Sequence, residues 1–176
     1  MTDPAFNVLF LCTGNTARSI MAEGILRKLG AGRFNAFSAG SQPKGMVNPY
    51  AIKSLKTFDC PTDGYRSKSW EEFATPDAPK MYFVFTVCDN AAGEACPIWP
   101  GRPMTAHWGV EDPVGVEGTD IEKQHAFNDA FCQLYRRISV FAALPLKTAE
   151  GSALATRLEE IGRMERSTPC PEKATQ

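Results

Sequence analysis

The sequence predicts an α/β protein, a four-stranded parallel sheet with helices on both faces in a three-layer sandwich. Three observations carry that prediction. Short apolar runs, Phe6–Leu11 and Met81–Val87, have the length and continuity of strands buried on both sides. Segments with apolar residues at helical spacing alternate with these runs along the chain. The length, 176 residues, suits one domain with a full core and is too short to suggest two.

Taken in order, Phe6 to Leu11 is the first strand. A helix from about Arg18 carries Ile20, Met21, Gly24, Ile25, Leu26 and Leu29 on one stripe and stops at Gly30 or Gly32. Residues 33–39 alternate enough for a second strand ended by Gly40. After a loop, Asn48-Pro49 reads as an N-cap with proline in the first helical position, and Ala51, Ile52, Leu55 and Phe58 form the apolar face that follows. Ser69 can cap a short helix. The third strand, Met81–Val87, runs into Cys88, and residues 89–102 read as a mobile loop with at most a helical turn. Met104–Trp108 is the last strand. Thr119 with Glu122 forms a capping box that opens a long helix to about Ala143, where Pro145 stops the pattern. Residues 1–146 are therefore read as the catalytic domain. Residues 147–176 are a C-terminal extension holding a short helix, with a thin stripe of Leu154, Leu158 and Ile161, before an end expected to be disordered.

Composition narrows the function. The formal net charge is −1 and no Lys/Arg block occurs, which argues against a nucleic-acid partner. No apolar run reaches membrane-spanning length, and Asp3 and Pro4 stand where an export signal would carry positive charge, so a cytoplasmic location is expected. In that reducing compartment six cysteines are better read as reactive, metal-binding or buried than as a disulfide framework.

The chemistry concentrates at Cys12-Thr13-Gly14-Asn15-Thr16-Ala17-Arg18-Ser19. A cysteine ends the first strand, small and polar residues follow, and an arginine opens a helix. Backbone N–H groups of Thr13, Gly14, Asn15, Thr16 and Ala17, with the helix N-terminus at Arg18 and Ser19, can surround a tetrahedral oxyanion. Arg18 offers a planar fork to two of its oxygens. The same positive surroundings are expected to make Cys12 a thiolate at neutral pH. In a parallel sheet, ligands bind beyond the carboxyl ends of the strands, where Cys12, Cys88 and the loop after Trp108 all fall. A buried cysteine and a solvated arginine are the plain alternative, and Asp112-Pro113 taken alone is a turn former.

These residues carry a resemblance. The Cys12–Ser19 loop with Asp112-Pro113 is similar to the low-molecular-weight protein tyrosine phosphatases. Residues 85–92 (Phe-Thr-Val-Cys-Asp-Asn-Ala-Ala), Cys96-Pro97, His107-Trp108-Gly109 and Glu111-Asp112-Pro113 resemble the arsenate reductases built on that fold, over about Phe6 to Pro145. The resemblance implies arsenate as substrate, Cys12 as nucleophile, Arg18 as clamp and Asp112 as general acid. Ser19 would hydrogen-bond the Cys12 sulfur, and Asn15 would shape the loop from within. It further implies that Cys88 attacks Cys12 to release arsenite and that Cys96 then takes the disulfide from Cys88. No tightly bound cofactor is implied. An external thiol, either thioredoxin or glutathione with glutaredoxin, would restore the enzyme. The Cys88–Cys96 interval holds seven residues, one more than in the thioredoxin-coupled members, so Cys96 as third relay thiol and a small thiol as resolving agent both stay open. Some members bind potassium through the equivalents of Asn15, Glu23 and Ser38. Here residues 65–68 read Tyr-Arg-Ser-Lys, two cations that disfavour it, and no metal is expected. Nor is zinc expected on His107, Cys88 and Cys96, since no CxxC pair is present. Cys60 and Cys132 read as packing, and Cys170 as an incidental tail thiol. A phosphotyrosine phosphatase is the alternative enzyme. A non-catalytic thiol module binding arsenite or a metal through Cys88 and Cys96 is a third reading.

Overall fold

The computed structural model describes residues 5–88, 99–149 and 151–164. Its sheet has four parallel strands, β1 (Phe6–Cys12), β2 (Phe34–Gly40), β3 (Phe83–Thr86) and β4 (Met104–His107), in the order β2-β1-β3-β4. β1 is thus central. Its partners run from Phe6↔Phe34 to Cys12↔Gly40 on one side and from Val8↔Phe83 to Leu11↔Thr86 on the other. That register brings Cys12 and the end of β3, just before Cys88, to the same edge of the sheet.

Four α-helices accompany the strands: α1 (Arg18–Leu29), α2 (Pro49–Thr57), α3 (Asp120–Ala142) and α4 (Gly151–Gly162), with a 3₁₀ helix at Trp70–Phe73. Local chemistry sets their starts. The Asn48 side chain accepts the Tyr50 N–H at 2.9 Å, that of Ser69 the Glu71 N–H at 3.2 Å, and that of Thr119 the Glu122 N–H at 3.2 Å. α1 has Ala17 at its N-cap and no side-chain cap, so its first-turn amides are left for another acceptor.

The two sheet faces are covered unequally. Alternation along β1 sends Val8 and Phe10 to one face, where all four α-helices pack, and Leu9 and Leu11 to the other, covered by Trp70 and Phe73 of the 3₁₀ helix together with Trp99. On the larger face Trp108 stacks on Phe85 with ring centroids 3.8 Å apart, and Phe141 packs edge-on against both. Leu154, Leu158 and Ile161 of α4 are buried in this same cluster, so the thin stripe is sufficient to dock the helix. Cys132 on α3 is buried, as its reading as packing expects, and it is disulfide-bonded, where the sequence favoured reactive, metal-binding or buried cysteines over a disulfide framework.

Candidate active site

The loop after β1 is held by its carbonyls. Cys12, Thr13, Gly14 and Thr16 each present a backbone oxygen to a backbone N–H of the following loop: Ser41 at 3.3 Å, Gln42 at 2.9 Å, Lys44 at 3.1 Å and Asn48 at 2.9 Å. Ser67 Oγ also donates to the Gly14 oxygen at 3.1 Å. A peptide unit is planar and trans, so a carbonyl turned outward turns the next residue's N–H inward. The amides of Thr13, Gly14, Asn15 and Ala17 therefore face the concave side, toward the sulfur and the start of α1. Asn15 makes the turn possible by adopting φ +49°. Gly40 makes room for it, because a Cβ there would lie 2.4 Å from the Thr13 oxygen.

The cleft above this loop has a volume of about 210 Å³ and is lined by Cys12, Thr13, Gly14, Thr16, Ala17, Arg18, Lys44, Asp112 and Val114. Arg18 is fixed from behind: Nη1 donates to the Val110 oxygen at 2.8 Å, and Nη2 lies 3.6 Å from Asp112 Oδ2. Asp112 accepts the Val114 N–H at 3.0 Å, so it is a turn former and a neighbour of the arginine at once. Its side chain is 51% exposed, open enough to meet a bound molecule.

Cys12 and Cys88 lie side by side. Their sulfurs share a hydrogen bond, and Thr13 Oγ1 is 3.6 Å from the Cys88 sulfur. The Cys12 thiol is held far above its ordinary range, chiefly by that bond and next by burial; Arg18 and the Thr13 N–H oppose the shift without overcoming it. Cys88 and burial thus oppose the thiolate that the positive groups of the loop favour. Counting Arg18 and the amides left out the second thiol, and Arg18 already serves Val110 and Asp112. Cys88 is 1% exposed, so its sulfur faces Cys12 and the interior rather than solvent.

Asn15 and Ser19 lie beneath the loop, not in the cleft. Asn15 Nδ2 donates to Ser19 Oγ at 2.8 Å, while Asn15 Oδ1 accepts the Lys68 N–H at 2.9 Å. The partner seen for Ser19 is thus Asn15, and the partners of the Cys12 sulfur are Cys88 and the Thr13 N–H. Deeper still, Glu23 accepts from Ser38 Oγ at 2.9 Å and meets Arg27 at 2.6 Å and Lys68 Nζ at 4.0 Å. Burial raises the Glu23 carboxyl and lowers the Lys68 ammonium, each partly offset by the other. A potassium ion does not fit here, since the Glu23 carboxylate faces two protein cations and Asn15 Oδ1 already has its donor. Among the described residues no group of three or more His, Cys, Asp and Glu could hold a metal.

Cys60 is buried, its thiol pushed up to about 11 by desolvation, and it donates weakly to the Phe58 oxygen. His107 Nδ1 lies 2.7 Å from Thr86 Oγ1. Cys96 and Cys170 lie outside the described residues. Val114 and Lys44 are the cleft residues absent from the sequence-based site, and the Lys44 side chain runs over Gly14 at 3.6 Å from where a Cβ would be. Nothing in the local sequence of Lys44 singles it out, since it reaches the cleft only because its loop is pinned to the first one.

Comparison with known proteins agrees with this geometry. The model of the family "Low molecular weight phosphotyrosine protein phosphatase" matches residues 7–144. A protein of Halalkalibacterium halodurans named arsenate reductase is 36% identical over 135 residues, 77% of this chain and 94% of that protein. One of Bacillus subtilis with the same name is 33% identical over 135 residues, with the same two coverages. Among solved structures, an arsenate reductase in the phosphate binding state superposes with a TM-score of 0.65 at 28% identity, covering 78% of this chain and 97% of that one. No helix among the described residues is long and apolar enough to cross a membrane.

Proposed function

Because the chain belongs to the low molecular weight phosphotyrosine protein phosphatase family, we propose that it is the arsenate-reducing kind of member, working through Cys12 and a thiol relay. The observation that carries this reading is the placement of Cys88 beside Cys12 at the base of the cleft, with the Cys88 sulfur 3.6 Å from Thr13 Oγ1 and both thiols buried. A phosphatase needs the first thiol alone. A reductase needs a second within reach of the first.

The steps follow from the site. Arsenate sits on the inward amides of the Thr13–Ala17 loop, with Arg18 on two oxygens and Lys44 at the rim. A dianion entering beside a protonated Cys12 can take its proton, which gives the same protonation state as a thiolate beside the monoanion and removes the need for a resting thiolate. The Cys12 sulfur attacks arsenic and forms the S–As bond. One As–O bond breaks, and Asp112 protonates the departing oxygen so that it leaves as water. Cys88 then gives its proton to an oxygen of the bound arsenic group and attacks the Cys12 sulfur as a thiolate. The S–As electron pair stays on arsenic, which falls from the pentavalent to the trivalent state and leaves as arsenite, while two thiols become the Cys12–Cys88 disulfide. Cys96 or a small thiol next attacks Cys88, and an external reductant, thioredoxin or glutathione with glutaredoxin, restores the thiols. Residues 1–146 form the catalytic unit in this reading, with 147–176 appended to it.

Trapping tests it. The fully reduced protein is mixed with one equivalent of arsenate, quenched with acid and an alkylating agent, and its disulfides mapped by mass spectrometry. The expected result is a Cys12–Cys88 bond, or its successor Cys88–Cys96, in step with arsenite formed; a glutathione adduct on Cys88 when that thiol is added marks the small-thiol route. Fully alkylated thiols and no arsenite, beside fast hydrolysis of an aryl phosphate, would make the protein a phosphatase.

A further inference from the structure

Arg137 on α3 is a buried arginine with an unusual set of partners. Nη1 donates to the backbone oxygens of Gly109 at 2.9 Å and Trp108 at 3.3 Å, and Nη2 to that of Met164 at 3.5 Å. No carboxylate pairs with it among the described residues. Burying a guanidinium is costly unless its donors are used, and here carbonyls use them. The two loop carbonyls open the segment that leads from β4 to Asp112, and the third lies two residues past the end of α4.

That helix grips the same point. Trp108 Nε1 donates to the Leu158 oxygen at 2.9 Å, and Gly162 lies so close that a Cβ would fall 2.4 Å from the His107 oxygen. From the other side, Val110 gives its N–H to the Val87 oxygen at 3.0 Å and its own oxygen to Arg18 at 2.8 Å. The stretch from Trp108 to Val110 is thus tied to four elements: to α3, to α4, to Arg18 at the start of α1 and to the strand end that carries Cys88. Asp112 follows two residues later. α4 itself lies beyond the residues that match the family.

We propose that Arg137 is a positioning residue for the acid loop, and that α4 acts through it and through Trp108 to hold Asp112 over the Cys12 cleft. The proposal rests on the reading of Asp112 as general acid. A side chain that fixes consecutive peptide carbonyls removes the freedom of the loop to swing, and a catalytic acid about 1 Å out of place loses on the order of a hundredfold in rate.

A double-mutant cycle in single-turnover arsenite release tests this, using the full chain reduced beforehand. Arg137→Met is expected to lower the maximal rate about tenfold, and Arg137→Lys, which can reach one carbonyl, about threefold. In an Asp112→Asn background both penalties should shrink to twofold or less. Gly162→Ala repeats the test without touching the guanidinium, by forcing α4 off the His107 carbonyl, and should show the same dependence on Asp112. Thermal melting selects the variants that fold. Equal penalties in the two backgrounds would overturn the proposal and leave Arg137 a purely structural residue. If Asp112→Asn alone left the rate unchanged, the acid assignment would fall first and the positioning role with it, a distinct result.

Discussion

Replacing Gly40 by alanine asks whether the carbonyl-out, amide-in arrangement of the loop is what activates the site. The added Cβ would lie 2.4 Å from the Thr13 oxygen and 3.0 Å from both Asn15 N and Asn15 Cβ. An ordinary carbon–oxygen approach is about 3.3 Å, so loop and strand must part by roughly 1 Å. Neither neighbour yields easily. The Thr13 oxygen is fixed by Gln42, and the Gly40 N–H is held by the Lys68 oxygen at 2.9 Å. Strain of this kind costs about 1–3 kcal/mol of stability, which leaves the fold in place, whereas a displacement of about 1 Å at the reacting atoms costs on the order of 10²-fold in rate. The assay compares kcat/KM for arsenate reduction with that for an aryl phosphate, alongside melting curves. Both activities should fall together by about a hundredfold while the protein stays folded, because both substrates use the same amides. Wild-type kcat/KM within twofold would refute the reasoning and show that the amide ring tolerates a shifted backbone.

Two other perturbations probe the sulfurs and the charges beneath the loop. Cys88→Ala removes the hydrogen bond that does most to keep the Cys12 thiol protonated; at about 1 kcal/mol for such a bond, iodoacetamide should alkylate Cys12 about fivefold faster at pH 7, and an unchanged or slower rate would mean that burial alone governs this thiol. Glu23 is raised by burial above its ordinary 4.5, so the folded state binds its proton more tightly than the unfolded chain does. Its contribution to stability is then full below about pH 4.5 and is lost as pH rises through the folded value. The difference in Tm between wild type and Glu23→Gln should therefore shrink from pH 4 to pH 7, and a difference that grows over that range contradicts the assignment.

The caps at Asn48, Ser69 and Thr119 were readable because each is a contact between residues two or three apart. The strands were readable because full burial on both sides demands an unbroken apolar run, as in Val8-Leu9-Phe10-Leu11. The nucleophile loop and its arginine could also be found, since strand, turn and helix are consecutive there. Beyond that range the signal ends. The β3 ladder covers Phe83–Thr86 rather than all of residues 81–87, although Tyr82 and Val87 on either side still donate their N–H groups to the Asn7 and Leu11 oxygens of β1. No local pattern marks Lys44 for the cleft or Arg137 for the acid loop.

By itself, then, the order of residues determined which segments are strands and helices, which cysteine ends the first strand, and what kind of anion the following loop can hold. Only the tertiary structure showed that Cys88 and burial push the Cys12 thiol upward against Arg18, that the Lys44 side chain reaches the cleft, and that Arg137 and α4 bond to the peptide groups of the segment before Asp112. The division follows the reach of the forces. Backbone preference and hydrophobic period act over a few residues and are written locally. The ionisation of a thiol depends on every charge, donor and apolar wall within a few ångströms, and those come from parts of the chain that only folding brings together.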